Sequence, residues 1–200
     1  MLAWFVRTFP RSGDIGASFA EYNREASALA PGQNRLVAID WWNGNRVPYA
    51  DKGLRGVLAG LDLSTNAADI YRALMDSICF GARSIVDQFR VASIPVDRIV
   101  LTSGLAKSNP FLLKIMSDVL AQTVHAPVID NPTCVGAAIH GAVAAGVVST
   151  FAEGADTFGA RHFDAHDPDP GRERAYSKVY QQYRNLSACA EVRNSVRPRS

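Results

Sequence analysis

Apolar positions along this chain switch repeatedly between the helical period and short continuous runs. Ile70, Leu74, Ser77 or Ile78, Ala82, Ile85 or Val86, and Phe89 recur at steps of three and four, which predicts a long helix with one buried stripe. Thr65 or Asn66 stands where a cap is needed, and Asp69 falls in the first turn, where a negative charge favours the helix dipole. Gly81 lies inside the stripe at a cost of about 1 kcal/mol relative to alanine, which a close crossing of another element would offset. A second helix pattern covers residues 19–29 and ends at Pro31-Gly32. A third begins at Pro110 behind Ser108 or Asn109 as cap, with Phe111, Leu112, Ile115, Met116, Val119 and Leu120 on its inner face. A final amphipathic helix carries Tyr176, Val179, Tyr180, Tyr183 and Leu186 on one side.

Between these lie apolar runs at 35–40 (RLVAID), 98–102 (RIVLT) and 123–129, read as strands; RIVLT has the character of a strand buried on both faces of a parallel sheet. Residues 54–63 show no clear period. Alternating helices and strands without an internal repeat predict an α/β chain. The helix expected after Asn131-Pro132-Thr133 is built from Gly136, Ala137, Ala138, Gly141, Ala142, Ala144 and Ala145, and Gly146 stops it. Small residues there favour tight packing, the rival being an anion held at the first turn. The polar stretch containing HDPDPG reads as a connection.

A hydrophobic content of 48% in 200 residues suffices for one domain. The formal charge is +2, with Lys and Arg scattered until a final VRPRS, so no nucleic-acid footprint is expected. No apolar run approaches the roughly 18 residues of a membrane span, and the start lacks a secretory cleavage pattern, so no membrane partner and a cytoplasmic location are expected. Cys79, Cys134 and Cys189 have neither disulfide-framework nor zinc spacing; they read as reduced thiols, two of them buried in helices. Leu2, Trp4, Phe5 and Val6 put bulky apolar side chains at the chain start, so residues 1–35 read as the lead-in of something larger, and 191–200 as a basic tail.

Candidate chemistry centres on SGLAKSNP at 103–110, which follows a strand and opens a helix, the place where open α/β sheets bind ligands. Gly104 would let backbone lie against a flat base, and Ser108 or Asn109 would hydrogen-bond it; the rival is an ordinary capped turn. Neither GxxxxGK[ST] nor GxGxxG occurs. In WWNGNR, Arg46 is a cation beside two stacking surfaces, Trp41 and Trp42, unless these fill core and Arg46 pairs with Asp40 or Asp51. His162, Asp164, His166, Asp167 and Asp169 have metal-ligand chemistry, but a proline-bracketed polar loop explains them without metal. His140 reads as a packed or surface histidine.

Taken in order, IDWWNGNR at 39–46, LRGVLAGLDLSTNAADIYRALMDS at 54–77, IVLTSGLAKSNPFLLKIMSDVL at 99–120 and GAAIHGAVAAG at 136–146 resemble the carboxyl-terminal domain of the FGGY carbohydrate kinases, most of all their ribulokinase branch. The resemblance implies a ribonuclease-H-like (actin-like ATPase) lobe at 36–190, incomplete at its amino-terminal strands. It implies ATP, with Mg²⁺ carried by the nucleotide, and a ketose sugar as second substrate. The family's adenosine loop, Gly-Gly-x-Ala, stands here as Ser103-Gly104-Leu105-Ala106, which carries base binding onto Gly104, with Ser108 at the neighbouring contact and Asn109 beside it. Ser103 replaces the first glycine and would crowd the base. Residues 136–138 match the element connecting the two lobes. The family's general base, sugar pocket and first phosphate loop belong to the other lobe, and its second phosphate loop would precede Met1, so no catalytic residue is assigned. The chain alone is expected to be inactive and marginally stable, with a strand edge open. Its partner would be a missing amino-terminal lobe or another copy of itself. Rival expectations are a fragment of a xylulose or other ketose kinase, and a non-catalytic remnant that docks through Leu2, Trp4 and Phe5.

Overall fold

Asn66 starts the central helix of the molecule with a complete capping box. Its Oδ1 accepts from Ala68 N at 2.8 Å and Asp69 N at 3.1 Å, while Asp69 Oδ2 accepts from Asn66 N at 3.0 Å. The computed structural model describes residues 1–102 and 109–195. Seven helices, α1 (Leu2–Thr8), α2 (Ile15–Ala28), α3 (Ala67–Val91), α4 (Pro110–Leu120), α5 (Pro132–Ala144), α6 (Phe151–Phe158) and α7 (Pro170–Ser195), are described with five strands. The strands are β1 (Val37–Ile39), β2 (Val57–Ala59), β3 (Ile99–Val100), β4 (Val124–Pro127) and β5 (Phe163–His166).

Helix α3 departs from the single stripe expected of it. Residues 71–77 are buried around the whole circumference, whereas Phe89 is 44% exposed. The reason is enclosure: α2, β1, α4 and α7 all pack against α3. Leu2, Phe5 and Val6 of α1 belong to the same buried cluster, and Phe5 meets the Tyr22 and Tyr71 rings at 5.3 and 5.8 Å. Helix α2 starts four residues earlier than its apolar pattern, because Asp14 accepts from Ala17 N and caps it. The aperiodic 54–63 segment contains β2, antiparallel to β1 with Val37 opposite Ala59 and Ile39 opposite Val57.

The close crossing expected at Gly81 is present. The Asp40 carboxylate occupies the space a Cβ there would need, and Tyr183 donates to Asp40 Oδ1 at 2.8 Å. Burial pushes the Asp40 carboxyl above its ordinary value of 3.8, and the Tyr183 bond only partly opposes that. A raised carboxyl pKa stabilises the fold below the unfolded value, and this contribution is lost as pH rises through the folded value. Asp40→Asn keeps an acceptor for Tyr183 and removes the ionisation. The variant should therefore gain on the parent chain in urea unfolding between about pH 3 and pH 7; a constant difference across that range would contradict the assignment.

The second sheet runs β3-β4-β5, with β3 parallel and β5 antiparallel to β4. RIVLT is not the doubly buried strand its composition predicts: β3 is a two-residue edge strand and Val100 is 39% exposed, because only β4 flanks it among the described residues. The polar connection after Gly146 contains α6 and β5, held respectively against α5 and β4. Helices α5 and α6 form a hairpin that closes over Ile139 and Val148, which lie outside the main cluster. The tight packing expected of α5 is not found within the described chain. A Cβ at Gly136 or Gly141 would meet nothing within 4 Å, and most of the helix faces solvent. The thiol expectation needs a related correction. Only Cys79 is buried; Cys134, on the uncovered α5, and Cys189, on the outer side of α7, are exposed, and all three are free. No described helix is long and apolar enough to cross a membrane.

Candidate functional site

The parallel pair β3–β4 defines where a ligand of this fold would sit. Ile99 faces Val124 and Val100 faces His125, and Leu101 N extends the ladder to His125 O at 2.9 Å. Each strand then leads to the start of a helix, β3 to α4 and β4 to α5, so two helix N-termini follow the carboxyl ends of neighbouring strands. The loop between β3 and α4 contains Ser103, Gly104, Leu105 and Ser108, which lie outside the described residues. Its exit is defined in detail. Asn109 is 6% exposed, and its Oδ1 accepts from Leu112 N at 3.1 Å, capping α4 ahead of Pro110.

Asn109 does more than cap. Its Nδ2 donates to Asn23 Oδ1 at 3.0 Å, and the Tyr71 hydroxyl donates to the same oxygen at 2.9 Å. These bonds tie the exit of the loop to α2 and α3, and burial pushes the Tyr71 hydroxyl pKa up to about 12, so it stays protonated as a donor. Asn23 and Tyr71 were not legible as neighbours of the loop; Asn23 is 86 residues from Asn109 in sequence and has no local signal. The other helix start is open. Asn131, at φ +48°, makes no side-chain cap bond to α5.

The remaining candidates separate. Trp41 is 1% exposed and fills core, while Trp42 is 37% exposed and packs on Trp4 at 4.6 Å between ring centroids. Arg46 pairs with neither Asp40 nor Asp51: Asp40 accepts from Tyr183, and Asp51 Oδ1 accepts from Gly53 N at 2.6 Å. His162, Asp164 and His166 stand at alternate positions of β5 and the residue before it, which places them along one face of the strand. Among the described residues no three His, Cys, Asp or Glu side chains gather as metal ligands. His140 is at the surface of α5 with its ring 4.6 Å from that of Phe151.

The fold is that of the sugar-kinase lobe with the actin-like ATPase architecture. It is similar to xylulose kinase from Rhodospirillum rubrum, with a TM-score of 0.78 at 24% identity, covering 97% of this chain and 38% of that one. It is also similar to Plasmodium falciparum glycerol kinase with ADP, with a TM-score of 0.66 at 14% identity, over 92% of this chain and 36% of that one. Residues 1–145 match the C-terminal domain of the FGGY family of carbohydrate kinases, and the chain belongs to that family. It is 34% identical over 197 residues to a ribulokinase of Halalkalibacterium halodurans, covering 93% of this chain and 35% of that protein. A ribulokinase of Bacillus licheniformis is 31% identical over 207 residues, with 98% of this chain and 38% of that protein covered. The chain thus spans little more than a third of the length of these relatives.

Proposed function

We propose that this chain is the nucleotide-binding part of an ATP-dependent sugar kinase whose full-length relatives transfer the γ-phosphate of ATP to a hydroxyl of a pentulose resembling L-ribulose. The observation that carries this reading is the ribulokinase similarity running through nearly the whole chain, at 34% identity in one case. A xylulose kinase origin has less support, since the similar xylulose kinase structure is 24% identical. Gly104 would lie against the adenine, with Ser103, Leu105, Ser108 and Asn109 around it. The strand-loop-helix topology and the anchored loop exit fit that role, because a base-binding loop needs a fixed end more than it needs charged side chains. Mg²⁺ enters only as the ion that ATP carries, and the reaction site is completed by a lobe supplying the general base and sugar pocket. The uncovered face of α5 is the natural seat for that lobe. The cytoplasm, where ATP is available, is its place of action.

Isothermal titration with ATP-Mg²⁺ tests the reading. The folded chain should bind in the micromolar to millimolar range, and Gly104→Val should weaken binding at least about tenfold by filling the space for the base. A folded chain that gives no heat of binding, or a variant that binds as well as its parent, would overturn it.

A further inference from the structure

We infer that the loop joining β1 to β2 holds a second ligand site, built for an anionic polyhydroxy compound of the sugar-phosphate class and separate from the nucleotide loop. A cavity of about 320 Å³ opens there, lined by Asn43, Asn45, Arg46, Ala50 and Lys52. That is the lower end of the size range of small-molecule sites, about 300 to 1,000 Å³, and suits a pentose or hexose phosphate.

The cavity has a held frame. Asn45 and Asp51 exchange backbone bonds, each N–H donating to the other's carbonyl at 2.8 Å. Gly44, at φ +76°, lets the two limbs close: the Lys52 backbone and the Asp51 carbonyl fill the space where a Cβ would stand. Trp41 anchors the base of the loop in the core, with its ring 5.3 Å from that of Tyr49 in an edge contact. Asn45 Oδ1 accepts from Tyr49 N at 3.2 Å, which leaves the Asn45 amide N–H groups as donors.

The described lining residues carry one sign of charge. Among the described residues, Arg46 and Lys52 face the cavity with no acidic side chain lining it, and neither is in an ion pair. Asp51, the nearest carboxylate in sequence, is turned to Gly53 N. Two cations at one cavity repel each other until an anion sits between them; a guanidinium and an ammonium together suit a phosphate dianion. The Asn43 and Asn45 amides add the donors and acceptors that hydroxyl groups require.

The site is remote from Asn109, the described exit of the nucleotide loop. That loop is tied through Asn109 and Asn23 to Tyr71 near the start of α3, whereas β1 reaches Asp40 beside Gly81, ten residues later on the same helix. At 1.5 Å per residue these levels are about 15 Å apart, and the cavity lies beyond Asp40 in the chain. Strand β2 is antiparallel to β1, so it leads away from the cavity towards the start of α3. A ligand in the cavity would therefore leave Asn109 and its bond to Asn23 free.

Amide NMR titration of the full chain with ribose 5-phosphate, inorganic phosphate and ribose, at constant ionic strength, tests the site. Ribose 5-phosphate should move the amides of residues 43–52 and leave those of α4 in place, with ATP-Mg²⁺ present or absent. Inorganic phosphate and ribose should each bind several-fold more weakly. Arg46→Gln with Lys52→Gln should weaken ribose 5-phosphate about tenfold or more, with ATP-Mg²⁺ binding unchanged; both side chains are exposed, so the fold should survive. No shift at 43–52 by 10 mM ribose 5-phosphate, equal binding of inorganic phosphate, displacement by ATP, or indifference to the double variant would each overturn the assignment. Loss of ATP binding with the 43–52 response intact would count only against the nucleotide reading.

Discussion

Arg72→Met should destabilise the fold by about 3 to 5 kcal/mol, the cost of stranding one partner of a buried ion pair. Arg72 is 1% exposed inside α3. Its Nε donates to Asp76 Oδ1 at 2.9 Å, its Nη2 to the Tyr176 hydroxyl at 2.6 Å, and its Nη1 to Leu29 O at 2.8 Å and to Ala26 O. One guanidinium thus satisfies the last carbonyls of α2, a carboxylate of α3 and a phenol of α7. Methionine fills much of the volume, so the loss comes from unpaired groups rather than from a cavity. Burial already pushes the Asp76 carboxyl upward, against the pull of Arg72. With Arg72 gone, nothing on α3 opposes that burial, so Asp76→Leu added to Arg72→Met should recover part of the loss. Urea unfolding with circular dichroism measures both; a loss below about 1 kcal/mol for Arg72→Met would contradict the network.

This network marks the boundary of what the sequence makes legible. Arg72 and Asp76 are four apart on a helix, a spacing that reads as a surface ion pair. Only the arrival of α2 and α7, far away in the chain, makes it interior. Features decided within a few residues are legible: the Asn66 box, the Asn109-Pro110 start of α4, and the tyrosine face of α7. Strand β2 is hidden because its three residues sit between glycines and have no period of their own. Strand β5 is hidden because His162, Asp164 and His166 look like loop chemistry, yet the ladder to β4 holds them from Val124 opposite His166 to Pro127 opposite Phe163. The small residues of α5 point to a close neighbour without identifying it; the described chain supplies none on that face, which is where a covering lobe would act. At the candidate site the loop is legible through its resemblance, whereas the contacts that hold it are not, because Asn23 and Tyr71 look like ordinary helix positions.

The loop exit gives the second large effect. Asn109→Ala removes the side-chain cap of α4 and the bond to Asn23, while Leu112 N keeps the residue-109 carbonyl at 3.1 Å and Asn23 Oδ1 keeps the Tyr71 hydroxyl, so the total should reach about 1 to 2 kcal/mol. Asn109→Ser keeps an oxygen for Leu112 N but cannot reach Asn23, and should fall between the variant and its parent. The consequence for binding separates two roles for Asn109. Its amide is already engaged at both ends, by Leu112 N and by Asn23, which fits a positioning residue that fixes the start of α4 and with it the loop. If that is its role, Asn23→Ala, which leaves Asn109 in the chain and removes only its anchor, should lower ATP-Mg²⁺ affinity by a factor similar to that of Asn109→Ala. Titrations at low temperature, where both variants are folded, make the comparison. Intact affinity in Asn23→Ala beside lost affinity in Asn109→Ala would instead mean that Asn109 touches the nucleotide itself.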